Sequence, residues 1–134
     1  MRAVGPDAGY SGKPLLDKLG VKPRMRVAVV GVPDPGFVEE LLDRGVDVST
    51  RRRARCDLLF VGYDRADKLP TLRTHREFIV PDGAIWAVWP KGRKELTEYH
   101  VRDAAIEAGL VDVKVVAFSE TLSALKLVRR TADR

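Results

Sequence analysis

Three runs in this chain are apolar at nearly every position: RVAVV at 26–30, DLLFVGY at 57–63 and AIWAVWP at 84–90. A strand with one wet face alternates polar and apolar residues, so a strand without alternation must be covered on both faces. Helical patterns lie between these runs, and that order calls for a parallel sheet sandwiched by helices. LLDKLG follows Pro14 and ends in glycine, which predicts a short helix over 13–20. FVEELLDRG predicts another over 37–45, with Phe37, Leu41 and Leu42 inward. VDVST at 46–50 alternates and reads as a short edge strand. ADKLPTLRTHREF predicts a helix over 66–78 starting near Pro70, and PDG at 81–83 a turn into the next strand. LTEYHVRDAAIEAGL at 96–110 is the clearest helix, capped by Thr97, charged correctly by Glu98 and ended by Gly109. VDVKVVAF (111–118) and ALKLVRR (124–130) are too close in sequence for anything but an antiparallel hairpin. The expected fold class is therefore α/β: a three-layer, Rossmann-like, mostly parallel sheet closed by a C-terminal antiparallel hairpin.

Length and composition agree with one such domain. The chain has 134 residues, of which 45% are hydrophobic and 32% charged, the proportions of an ordinary globular protein with a single core. Residues 1–12 carry three glycines and a proline without periodicity and read as a loose arm; the domain then covers 13–130, and 131–134 is a tail. No apolar run has the roughly 18–20 residues needed to cross a bilayer, and the start lacks a signal-type apolar stretch. The lone Cys56 excludes an internal disulfide and fits a reducing cytoplasm. The net charge of +5 is unevenly placed, concentrated in RRRAR (51–55), KGRK (91–94) and RRTADR (129–134). Such clusters attract nucleic acid, phosphates or acidic proteins, although no stacking motif or recognition helix accompanies them.

The residues also carry a resemblance. LGVKPRMRVAVVG resembles the lead-in and first strand of the class I methyltransferase fold, and FIVPDGAIWAVW resembles its fifth strand. YSGKPLLDKLGVKP, WPK, LTE and GLVDVKV together are similar to a family of short bacterial proteins defined as a domain of unknown function, from Tyr10 to Arg130. The resemblance implies a truncated methyltransferase-like fold and, by extension, S-adenosylmethionine as the cofactor to test. It also implies four features from which this chain departs. The glycine loop after the first strand reads Gly31, Val32, Pro33, Asp34, Pro35, Gly36, and two prolines remove N–H donors from an anion cradle. The second strand closes on Ser49 and Thr50 rather than on a ribose-binding acid, with Asp47 too early to sit at its tip. The connection to the next strand is too short for the fold's third strand and its helix. No Asn/Asp-Pro-Pro-Tyr box follows, since the corresponding stretch is Gly62, Tyr63, Asp64, Arg65.

Other chemistries find less support. Gly31 and Gly36 are not followed by Lys-Ser/Thr, so this is no Walker loop, and the arginines after the second strand lack the NADP-type glycine fingerprint. His75 and His100 read as solvated helix histidines rather than metal ligands, and no metal site is expected. No serine sits in a nucleophile elbow, and Cys56 beside arginines reads as a buried thiol, with an activated one as the alternative. No catalytic residue is assigned. Open α/β sheets bind ligands at the carboxyl ends of their strands, so the candidate ligand rim comprises Gly31, Asp34, Gly36, Tyr63, Asp64, Trp89, Lys91 and Arg93. Tyr63 and Trp89 would form an aromatic wall beside Lys91.

The resulting expectation is a catalytically degenerate, methyltransferase-like binding or regulatory module with no cofactor, meeting a protein, a nucleic acid or a small anion. The alternatives are a reduced S-adenosylmethionine-dependent methyltransferase using the same rim, and a nucleic-acid-binding protein using Arg51, Arg52, Arg53 and Arg55.

Overall fold

The computed structural model describes residues 14–134, so the arm expected at 1–12 lies outside the described residues. A short helix α1 (Leu15–Lys18) leads into β1 (Arg26–Val30), α2 (Phe37–Asp43) and the three-residue β2 (Asp47–Ser49). After β3 (Cys56–Gly62) the chain enters a broken helical segment containing α3 (Leu72–His75), then β4 (Ile79–Pro90) and α4 (Glu98–Glu107). The hairpin of β5 (Leu110–Ala117) and β6 (Leu122–Arg129) completes the sheet. Six strands run in the order β2-β1-β3-β4-β6-β5. β1 pairs parallel with both β2 and β3, and β3 with β4. β6 is antiparallel to β4 and to β5, as the short connection requires.

Both faces of the sheet are covered, and each cover makes its own core. One face packs α1 and α2 through Leu15, Leu16, Leu19, Phe37 and Leu41 onto Val27, Val29, Phe60, Trp86 and Val88. The other packs α3 and α4 through Leu72, Val101 and Ala105 onto Ala28, Leu59, Val61, Ile85 and Leu125. This is why β1, β3 and β4 show no alternation in sequence. The indole of Trp86 adds a directional bond, Nε1 donating to the Leu19 carbonyl at 3.2 Å, which fixes α1 over β4.

Two elements differ from the sequence reading. The helix expected over 66–78 is a 3-10 turn (Ala66–Thr71), a single α turn, and a second 3-10 turn (Arg76–Phe78). Pro70 lies inside that segment and cannot donate a helical hydrogen bond, so a regular helix does not propagate through it. Pro81, Asp82 and Gly83 are not a turn between elements but a bulge inside β4. The register against β3 moves from Cys56↔Ile79 to Leu58↔Ala84 across it. Gly83 is needed there because a Cβ would stand 2.9 Å from the Cys56 carbonyl oxygen. α4 is capped by Thr97 as expected, but the partner closing the capping box is His100, whose Nδ1 accepts from the Thr97 N–H at 3.0 Å.

Candidate functional site

The carboxyl ends of β1, β3 and β4 form one rim. Lys91 draws a fourth loop onto it: its N–H donates to the Thr121 carbonyl at 2.9 Å and its Nζ to the Ser119 carbonyl at 2.7 Å. The β5–β6 turn, with Glu120 and Thr121, is therefore a rim element that sequence alone did not place. Beneath it the Phe37 ring meets Phe118 edge-on at 4.7 Å and Phe60 at 4.9 Å, so α2 and the hairpin share one aromatic floor.

The turn from β1 to α2 is the part of this rim that should receive a ligand. Gly31 adopts φ +68, which only glycine takes without strain. Beyond it, the donors turn inward. Asp34 N–H donates to the Val32 carbonyl at 2.9 Å, Gly36 N–H to Asp34 Oδ1 at 3.2 Å, and Phe37 N–H to the Asp34 carbonyl at 3.1 Å. Pro33 and Pro35 have no N–H to offer. Asp34 thus serves as the organiser of its own loop. The turn also lies directly against the end of β3, where a Cβ on Gly62 would stand 2.0 Å from the Gly31 carbonyl oxygen. A glycine closing an apolar strand beside a second such glycine was the only sequence signal for this contact.

The remaining rim candidates divide into exposed and buried. Asp64, Lys91 and Arg93 are exposed, with Arg93 Nε pairing to Glu95 at 3.1 Å. Tyr63 and Trp89 are only 6% and 4% exposed and belong to the α3/α4 core. They are not an open aromatic wall, which corrects the sequence reading. The Tyr63 hydroxyl pairs with Thr71 Oγ1 at 2.8 Å, and burial pushes it up to about 12. At the tip of β2 the Ser49 hydroxyl exchanges hydrogen bonds with the backbone of Arg51, at 2.9 and 3.0 Å. Asp47, at the other end of the strand, pairs with Arg53 at 3.1 Å and Arg26 at 3.9 Å.

The arginine run is partly structural. Arg53 is half-buried and its Nη2 donates to the Val27 carbonyl at 3.0 Å and to the Asp47 carbonyl, so it bridges the paired strands β1 and β2. Arg52 lies over the Phe78 ring at 4.0 Å. Only Arg51 and Arg55 remain uncommitted and exposed. Cys56 is fully buried, its Sγ donating to the Arg53 carbonyl at 3.0 Å. Burial raises its thiol pKa more than Arg53 and Arg26 lower it, so the thiol is held protonated. Among the described residues no group of three His, Cys, Asp or Glu is placed to hold a metal, and no helix is long and apolar enough to cross a membrane.

His75 is a correction. It is 8% exposed rather than solvated, with Nδ1 at 3.4 Å from the Arg52 guanidinium. Burial first, and Arg52 second, push its pKa down to about 4. The folded state therefore resists a proton that the unfolded chain accepts from pH 6.5 downward. The stability this contributes is complete above pH 6.5 and is lost as pH falls toward 4, by about 3 kcal/mol in all. Urea titrations at pH 7.5 and pH 4.5 should show that loss. His75→Leu should flatten the difference, and a wild-type curve without pH dependence in this window would contradict the assignment.

The molecule is similar to known proteins in fold. It superposes on a SAM-dependent methyltransferase from Aquifex aeolicus with a TM-score of 0.65 and 14% identity, over 84% of this chain and 86% of that one. The ribosomal protein L11 methylase from Lactobacillus delbrueckii subsp. bulgaricus gives 0.64 and 12%, over 87% and 75%. The 1,6-didemethyltoxoflavin-N1-methyltransferase from Burkholderia thailandensis, with bound S-adenosylhomocysteine, gives 0.64 and 13%, over 86% and 74%. No protein-family model matches the chain, and neither does any curated protein. The sheet, its order and these superpositions define the fold: class I methyltransferase-like, Rossmann-like α/β. It is a reduced version of that fold, in which only residues 50–55 link β2 to β3.

Proposed function

We propose that this chain is a methyltransferase-like binding or regulatory module that does not transfer methyl groups. One observation carries the reading: the β1–α2 turn consumes the N–H groups of Asp34, Gly36 and Phe37 internally. In a cofactor site those donors would face the guest. The tip of β2 supports the same reading, because Ser49 there is engaged with its own backbone and presents no carboxylate for a ribose diol. The residues present therefore do not fit S-adenosylmethionine. What remains at the rim is a short cationic and hydroxyl-bearing ledge, Lys91, Arg93, Ser119 and Thr121, suited to a small anion or an acidic protein segment.

The second reading, a reduced S-adenosylmethionine-dependent methyltransferase, is favoured by the solved methyltransferases that share this sheet. Isothermal titration of the full chain with S-adenosylmethionine separates the two. The expected result is no detectable heat up to millimolar ligand. Micromolar binding that disappears in Asp34→Ala would restore the enzyme. A nucleic-acid role rests on Arg51 and Arg55 alone, since Arg52 and Arg53 are engaged elsewhere.

A further inference from the structure

The layer of helices on the α1/α2 face stops short of the sheet's end. α1 is fixed over β4 by the Trp86–Leu19 bond, and α2 packs through Phe37 and Leu41. Beyond β4, no helix among the described residues lies on the lower half of β5 and β6. Residues paired across antiparallel strands share a face, and the register places Val111 opposite Val128 and Lys114 opposite Lys126. Lys126 lies between Ala124 and Val128, both of which pack on the α1/α2 side, so these four residues line the bare half of that face. Val111 is 43% exposed, and Val113, the extra residue of a bulge beside it, 51%. The two lysines stand directly opposite one another without an ion-pair partner among the described residues. That arrangement is unfavourable for an isolated sheet. Burial and Lys114 push the Lys126 ammonium below its ordinary pKa.

The complement is on the same molecule. Glu39, Leu42 and Asp43 fall at helical spacing on the outer side of α2. Leu42 is 57% exposed, and neither carboxylate has an ion-pair partner among the described residues. This is an acidic ridge with an apolar centre, where the bare half-sheet is an apolar floor with a basic centre. The shapes also correspond. The α1/α2 layer stands about 10 Å above the sheet, one helix diameter, and ends in a step. Two copies turned face to face would each set α2 on the other's bare half-sheet, closing both steps at once about a two-fold axis.

We propose that the chain forms a face-to-face homodimer in which Glu39, Leu42 and Asp43 of each copy dock on Val111, Lys114, Lys126 and Val128 of the other. The bulge at Val113 twists the edge strand away from direct strand addition, which leaves the face as the surface that docks. This inference is independent of whether the rim binds a cofactor.

Sedimentation velocity on the full chain over a concentration series at low salt tests it. The expected result is a monomer–dimer equilibrium weakened by salt. Lys114→Glu with Lys126→Glu, and separately Glu39→Lys with Asp43→Lys, should each raise the dissociation constant by about tenfold or more. Mixing the two variants should restore a one-to-one dimer, because each reversed patch then meets its opposite at both contacts. Glu39, Asp43 and Lys114 are exposed and Lys126 is half-buried, and circular dichroism confirms that each variant is folded. Leu42→Ser gives the same loss without any change of charge. A chain that stays monomeric throughout, a dimer indifferent to both reversals, or variants that fail to pair on mixing would each overturn the proposal.

Discussion

Gly62→Ala is expected to lower the stability of the domain by about 3 kcal/mol or more, and its melting temperature by about 10 °C. The added methyl would stand 2.0 Å from the Gly31 carbonyl oxygen, 2.6 Å from its carbon and 3.0 Å from Val32 Cα. All three are backbone atoms, so no rotamer change relieves the clash; β1 and β3 must part at their tips. The effect is steric alone, because Gly62 does not have a positive φ. Gly92→Ala is the matched control: φ is +78, but nothing lies within 4 Å of its Cβ position, so only backbone strain of about 1 kcal/mol applies. Thermal melts of the two variants should differ clearly. Equal, small losses would mean that the β1–α2 turn does not rest on β3. The result bears on function as well, since the contact lies at the strand tips where this sheet type receives ligands.

Phe37→Ala should cost about 3–5 kcal/mol, the range for truncating a fully buried aromatic ring. Phe37 has no exposed surface and touches Phe60 on β3 and Phe118 beyond β5, both edge-on. Its removal empties the space where α2, the sheet and the hairpin turn converge. The loss therefore extends beyond α2. Amide exchange should speed up at Phe118 and Ser119, whose N–H groups bond the Leu122 carbonyl, and at Lys91, which bonds Thr121. Phe37→Leu should recover most of the stability by refilling the volume. A loss below about 1 kcal/mol, or faster exchange confined to α2, would show that the aromatic floor does not tie hairpin to helix.

Much of the fold was legible because its signals are local. β1 lacks alternation because both of its faces are covered, and its bounds at Arg26 and Val30 match the apolar run. Thr97 before α4 and Gly109 after it, at φ +78, act within a few residues of themselves. The short link between β5 and β6 left only an antiparallel pairing. The broken segment around Pro70 and the bulge at Pro81–Gly83 were misread for a related reason. Proline marks an interruption, but whether it ends an element or deforms it depends on neighbours such as the Cys56 carbonyl, which belongs to another strand.

The candidate site was legible in its chemistry and not in its exposure. Two prolines in the β1–α2 turn already removed donors, and tertiary structure added that Asp34 holds the others. Tyr63 and Trp89 had the right sequence positions for a rim. Yet α3 and α4 cover them, and no local pattern states which face of a strand end a helix will cover. His75 and Arg53 show the same division. Each is a polar residue in a polar stretch, and only packing made one a buried neutral base and the other a clasp for carbonyls far away in sequence. The chain's own residues determined which segments become strands and helices, through short-range periodicity, capping and chain stiffness. Tertiary structure alone decided which polar groups face water, because burial depends on contacts between segments distant in sequence.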